Sequence, residues 1–436
     1  MKEELSLIST EWVRRRTSGL FYGWWIVAAG IWIQAITTGL LMQAFGSYVL
    51  VMQQEFNWSR TAFSVAFSAQ QAESGLLGPI QGWMLDKWGP RMVMTIGMVL
   101  FGIGFLAFSQ INSLWTFYAT FLLMAVGVSM AGFKSIGATV VNWFQKRRSS
   151  AMGIVHVGMG LGGLMVPAVA VSLSTFGWRE TAFGSGILVL VVGIPLAQVF
   201  RHTPEQYGLR PDGEVIDETD EAAVKAIEYD DRYDFSPRQA LRTSAFWFIS
   251  FGHALGVLVV GTVMVHAVVH MNESLGYSLT RGASVIALLT TFSIFGNLFG
   301  GFLGDRLNKQ YLAAGCMLGS GFAIIMLGWA SAFWMVLIFA VVQGIAHGVR
   351  GVLMMPIRAD FFGRRSFATI MGLSGLIVMF GMMGGPIVAG LMADAIGDYR
   401  LAFTILGGVV ASGSLLFLLA RKPEHPRRRQ QTRPAA

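Results

Sequence analysis

The stretch GWMLDKWGPR, from Gly82 to Arg91, decides how this chain folds. It lies between two long apolar runs and carries a glycine, three spacers, Asp86, Lys87, a spacer, Gly89 and Arg91. A second copy begins 219 positions later as Gly301-Phe-Leu-Gly-Asp305-Arg306-Leu-Asn308-Lys309, with Asn308 where Gly89 stood. A charged turn at one place in each half of an apolar chain reads as two copies of one membrane unit.

The composition agrees. The 436 residues are 54% hydrophobic and 13% charged, where a soluble globular protein has roughly 25% charged. Glycine supplies 53 residues, and small residues let membrane helices approach closely. Several apolar runs reach the roughly 20 residues needed to cross a bilayer. The single cysteine, Cys316, makes no intrachain disulfide and reads as a small packing residue. No cleavable signal peptide is expected: the polar start with Arg14, Arg15 and Arg16 leads into a full-length span.

Twelve spans are expected, at 22–46, 62–84, 93–111, 115–142, 151–173, 181–200, 246–270, 280–303, 311–331, 334–357, 368–393 and 400–420. The loops on one side then hold only Arg60, Arg179, Arg281 and Arg400, and Lys134 and Arg350 fall inside spans. The remaining Lys and Arg lie on the other side, which the positive-inside rule makes cytosolic. That placement, not nucleic acid, accounts for the net charge of +8. The reading gives a cytosolic segment 1–21, a six-helix bundle 22–200, an acidic cytosolic linker 201–242, a second bundle 243–420 and a basic tail 421–436. Residues Ala222 to Tyr229 are expected to form a surface helix, and Arg427 to Arg429 to meet anionic lipid.

The halves match at further positions in the same order. Asn57-Trp58-Ser59 aligns with Gly276-Tyr277-Ser278, Lys134 with Arg350, Phe144 and Arg147-Arg148 with Phe362 and Arg364-Arg365, Pro167 with Pro386, and Trp178-Arg179 with Tyr399-Arg400. An even number of spans per half makes the copies parallel, related by an axis along the membrane normal, with the substrate site expected at the repeat interface. The expected fold is an all-α membrane protein of twelve transmembrane helices in two pseudo-symmetric six-helix bundles.

With its twelve spans and GWMLDKWGPR after the second, the sequence resembles the major facilitator superfamily over residues 20–420. Four stretches resemble its bacterial monocarboxylate-transporter branch and the oxalate/formate antiporter neighbours: Tyr22-Gly-Trp-Trp-Ile, Glu55-Phe-Asn-Trp-Ser-Arg60, Pro204-Glu-Gln-Tyr-Gly-Leu-Arg-Pro-Asp-Gly213 and Ala240-Leu-Arg-Thr-Ser-Ala-Phe-Trp247. One departure is Asn297 in span 8, where similar monocarboxylate carriers often hold an arginine. The resemblance places spans 1, 4, 7 and 10 around a central cavity. It also gives Asp86 and Asp305, with Lys87, Arg91 and Arg306, a gating role at the cytosolic ends of spans 2 and 8. The other reading of these two carboxylates is a plain turn cap.

An ionised side chain at mid-bilayer costs ~2.5–3.5 kcal/mol on insertion scales, so Glu73, Lys134 and Arg350 stand out. Lys134 and Arg350 occupy matching places in the repeat, and the resemblance implies two cations facing one another across the cavity, a pocket for an anion; the other reading is snorkelling to headgroups. Glu73 is either a proton carrier or a structural acid paired with Lys134. His156, His253, His266 and His347 lie in spans, as packing residues or as polar contacts. His253 aligns with Gln34, and His347 shares a helix face with Arg350. The expected substrate contacts are Arg350, Lys134, His253, Gln34, Asn297 and His347, with Glu73 for protons. No metal or cofactor is expected, since no His/Cys/Asp/Glu cluster has ligand spacing and the glycines at 158–163 and 381–385 lack the phosphate-loop ending.

The leading expectation is a secondary transporter of a small monocarboxylate-like organic anion, coupled to protons, working as a monomer by alternating access in the cell (inner) membrane. An organic anion exchanger, or an exporter of amphipathic compounds with the same fold, is the alternative. An intramembrane enzyme lacks a nucleophile–base pair, and a sensor lacks an output domain.

Overall fold

The computed structural model describes residues 20–213 and 234–424. The expected helix at Ala222–Tyr229 and the basic clusters Arg14–Arg16 and Arg427–Arg429 lie outside them. The chain divides into two compact units, one drawn from Met1–Arg232 and Arg364–Gly372, the other from Tyr233–Gly363 and Leu373–Ala436.

Eleven helices among the described residues are long and apolar enough to cross a membrane. Span 2 completes the set of twelve as two pieces, Arg60–Leu76 and Gly78–Trp88. The break has a plain cause, because Pro79 sits in the first turn of the second piece and donates no backbone hydrogen bond. Span 1 runs through Gly23–Thr37, widens into a π-helical turn at Thr38–Gln43 and continues over Phe45–Phe56. Its last turns carry Gln53, Gln54 and Glu55, so the helix continues past the expected end at 46 into polar sequence. Span 10 is longer than expected too, a single helix from Phe333 to Phe362 with Pro356 inside it.

The aligned turns of the two units are built alike. Asn57 is left-handed at φ 52° and Ser59 caps span 2; Gly276 is left-handed at φ 67° and Ser278 caps span 8. Pro167 and Pro386 both lie inside long helices, spans 5 and 11. The charged turn differs where its sequence differs. Gly89 takes φ 78° and hands directly to Pro90, whereas Asn308 keeps φ −66° and uses its side chain to accept from the Gln310 and Tyr311 amides. Each solution opens the next helix, by a backbone only glycine adopts easily or by an N-cap.

Within each unit the helices cross on small residues. A Cβ on Gly97 of span 3 would lie 2.7 Å from the Gly127 carbonyl of span 4, and one on Gly407 of span 12 would lie 2.7 Å from the Gly321 carbonyl of span 9. Large apolar side chains such as Trp115, Leu164 and Phe380 stay exposed, as lipid-facing residues do.

Candidate functional site

In the first unit the titratable residues gather where span 2 breaks. Ser74 lies in the last turn of its first piece, where carbonyls lack in-helix donors. Lys134 supplies one, with Nζ donating to the Ser74 carbonyl and to its hydroxyl at 2.5 and 3.1 Å. Glu73 is close enough for its charge to act on that of Lys134. One Glu73 oxygen accepts from Gln81 Nε2 at 3.0 Å, and Gln81 in turn accepts from Ser129 at 2.7 Å. The other oxygen, Oε2, is buried with no hydrogen-bond partner among the described residues. Gln34 stands apart on span 1. Its amide donates to Thr38, the first residue of the π-helical turn, while its Oε1 is buried without a partner among the described residues.

In the second unit the polar groups collect along span 10. Arg350 is 2% exposed, yet its Nε and Nη1 have no hydrogen-bond partner among the described residues. The space for its guanidinium comes from Gly256 on span 7, where a Cβ would stand 2.4 Å from Nη1. Cys316 of span 9 lies beside it. His253 and His347 are half-buried, and both Arg350 and His347 act on the charge of His253. Asn297 is buried on span 8 at its close crossing with Gly348 of span 10.

A further cation, Arg358, is 1% exposed. It donates to the Met354 carbonyl at 2.8 Å, to Ser374 Oγ at 2.7 Å and to His253 Nδ1 at 3.3 Å, and Ser374 bonds Ser250 at 2.9 Å. An imidazole accepting at Nδ1 carries its hydrogen on Nε2. Ending span 10 at 357 had placed Arg358 in a loop. Pro356 suggests that stop, but a membrane helix tolerates an internal proline when its surroundings satisfy the freed backbone group. The usable signal was the apolar sequence continuing through Phe361 and Phe362. The two remaining span histidines have local partners: His156 bonds the Met152 carbonyl, and His266 bonds Tyr399 and the Pro386 carbonyl.

Among the residues expected to gate, Asp86 is engaged through both carboxylate oxygens. Its carboxylate accepts from the Ala368 amide at 3.1 Å, the Thr369 amide at 2.8 Å and the Thr369 hydroxyl at 2.6 Å. These amides open span 11, where a helix has no internal acceptors for its own N–H groups. Segment 364–372, which carries them, belongs to the first unit. Approach is close because Gly82 has no side chain; a Cβ there would lie 2.2 Å from the Ala368 carbonyl. Arg364 adds an ion pair to Glu205 at 3.0 Å. Burial pushes the Asp86 carboxyl up to about 6, against the opposing pull of the Thr369 and Ala368 donors. Lys87 lies over the Trp83 ring, Arg91 donates to Gln198, and Arg306 lies over the Phe302 ring beside the half-buried Asp305.

The Major Facilitator Superfamily profile matches residues 27–313 and 246–436. The chain belongs to the major facilitator superfamily. Relatives of this facilitator include human monocarboxylate transporter 11, 27% identical over 91% of this chain and 82% of that protein. The hexuronate transporter of Escherichia coli K12 is 23% identical over 88% and 92%. In fold it is similar to the human organic anion transporter MFSD10 (TETRAN), with a TM-score of 0.66 and 15% identity over 90% of this chain and 98% of that one. A variant of the E. coli fucose:proton symporter gives a TM-score of 0.67 at 12% identity over 92% and 98%. The facilitator is thus a multi-pass membrane transporter and not an enzyme.

The room at Gly256 gives a first expected result. In Gly256→Ala the new methyl meets the mobile end of Arg350, so the helices stay packed while the guanidinium moves. With Arg350 as the proposed substrate contact, affinity is expected to fall about tenfold or more, in line with losing a charge-assisted hydrogen bond. Thermal unfolding of the detergent-solubilised protein changes little. Uptake at graded substrate concentrations and a melting curve check both halves of this.

Proposed function

We propose that this facilitator carries a small organic anion bearing a carboxylate, coupled to protons, across the cell (inner) membrane with both chain ends in the cytosol. Arg350 carries the reading. A buried guanidinium with two unpartnered nitrogens is costly to maintain, and a carboxylate is the group whose geometry fits it. His253 offers a neutral Nε2–H donor nearby, with His347 and Asn297 as further polar contacts. Gln34, with its free buried oxygen, and Lys134 are the proposed contacts from the first unit. The bundles 22–200 and 243–420 serve as the moving bodies of alternating access. Names among the relatives point the same way: one specifies monocarboxylate, one hexuronate, and one fold neighbour organic anion.

Glu73 is the proposed proton carrier. Its Oε2 has no hydrogen-bond partner among the described residues, and its partner Gln81, itself bonded by Ser129, is neutral. Protonation would release Lys134 from its counter-charge, which links proton uptake to the electrostatics of the site. In proteoliposomes with an imposed pH gradient, Glu73→Gln is expected to retain substrate exchange and to lose acceleration by the gradient. Unchanged gradient dependence would remove Glu73 from the coupling. Wild-type protein that moves no organic anion under any gradient would remove the function itself.

A further inference from the structure

We propose that the transported anion bears two acidic groups, and that Arg358 together with Arg350 answers them. The proposal rests on the organic-anion reading above and narrows it from a monocarboxylate-like solute to a short-chain dicarboxylate.

The argument is one of charge balance in a buried space. In the first unit the half-buried cation Lys134 has Glu73 beside it, so that pair sums to zero. In the second unit Arg350 and Arg358 are buried, and neither makes an ion pair with an acid among the described residues. Every partner of Arg358 is neutral: a carbonyl, a serine hydroxyl and an imidazole. These groups hold the guanidinium in place but leave its charge uncancelled. Hydrogen bonds from neutral groups leave the charge itself uncompensated, and a well-placed opposite charge offsets more of the desolvation cost. Two such charges in one bundle call for two negative charges during the transport cycle.

Geometry sets the spacing. Arg350 and Arg358 are eight residues apart on one helix, roughly 12 Å of rise, and long flexible side chains shorten that gap. His253 bonds Arg358 at 3.3 Å and is close enough to Arg350 for that charge to act on it. A solute with its acids separated by a few carbons reaches both, and its middle passes the His253 Nε2–H. A monoacid leaves one guanidinium unanswered.

The test compares succinate with its monomethyl ester, which has the same length and one charge fewer, at a pH where both are ionised. Glutarate and adipate extend the series. Each competes with labelled succinate for uptake by wild-type protein in proteoliposomes, and each is scored for thermal stabilisation of purified protein. Diacids are expected to act at concentrations about tenfold or more below the monoester. Arg358→Gln is expected to abolish the preference for diacid over monoester. If Arg358→Gln does not fold, the wild-type diacid-to-monoester ratio decides alone. Equal potency of succinate and its monoester overturns the two-charge proposal while leaving an organic anion as cargo. Failure of every acid to bind or compete overturns the anion reading, and this proposal with it.

Discussion

Arg350→Ala is expected to lower uptake of the native anion by a hundredfold or more while leaving membrane expression intact. The guanidinium has two nitrogens unpartnered among the described residues, which the proposal assigns to a carboxylate, and hydrogen bonds to charged groups contribute ~1.5–3 kcal/mol each. Two of them account for at least that loss at ~1.4 kcal/mol per tenfold change. A second readout separates a ligand-binding role from a structural one. Arg350→Met keeps most of the side-chain volume and removes a buried unpaired ion. Apolar replacement of buried ions is often neutral or stabilising, so the ligand-free Met variant is expected to melt at or above the wild-type temperature. Substrate raises the melting temperature of wild type and leaves that of the variant unmoved. A structural arginine would give the opposite pattern, with the variant unfolding early whether or not substrate is present.

The second large effect is expected at Asp86. The Ala368 and Thr369 amides bond to its carboxylate and sit at a helix start, where no in-helix acceptor replaces it. Asp86→Ala is therefore expected to raise hydrogen exchange at these two amides by at least tenfold, with exchange deeper in span 11 little changed. The same contact is expected to depend on pH. Docked, the carboxyl titrates near about 6, above its ordinary value of 3.8, so the docked segment holds the proton more tightly than a released one. Docking is then fully supported below the ordinary value and loses support as pH rises through 6. Exchange at Ala368 and Thr369, corrected for intrinsic rates, is expected to quicken from pH 5 to pH 7 in wild type and to lose that dependence in Asp86→Asn. Uniform exchange across both variants would reduce Asp86 to an ordinary turn residue.

Much of the fold was legible because charge in an apolar chain is conspicuous. The Asp86 and Asp305 turns and the paired loop residues sit where aqueous loops must be, and hydrogen-bonded loop closure needs particular residue types. The four stretches that resemble one transporter branch show this. Tyr22 bonds the Val199 carbonyl, and Glu55 accepts from Trp178 and Arg179. Asp212 gathers the amides of Gln145, Lys146 and Arg147. Thr243 caps span 7, and Trp247 bonds the Leu241 carbonyl. These residues close loops and seat helices, so they report how the chain is built more than what it carries.

The candidate site was only partly readable, for a physical reason. Lys134, Glu73 and Arg350 lie deep in apolar runs, so their burial shows in the pattern. Arg358 lies two residues after Pro356, where a sequence reading expects the helix to stop, and it passed for a loop cation. Nor does periodicity reveal that Gly256 makes room for Arg350, since a glycine in a membrane helix usually marks close packing. Which nitrogens are left unpartnered depends on three-dimensional neighbours that one sequence does not give.

The most direct test of the central claim is a structure determined with the transported anion bound. The expected result is a carboxylate oxygen within hydrogen-bond distance of Arg350 Nε or Nη1, with Gly256 facing the same guanidinium. A bound anion held elsewhere, with both Arg350 nitrogens still unpartnered, would contradict the account.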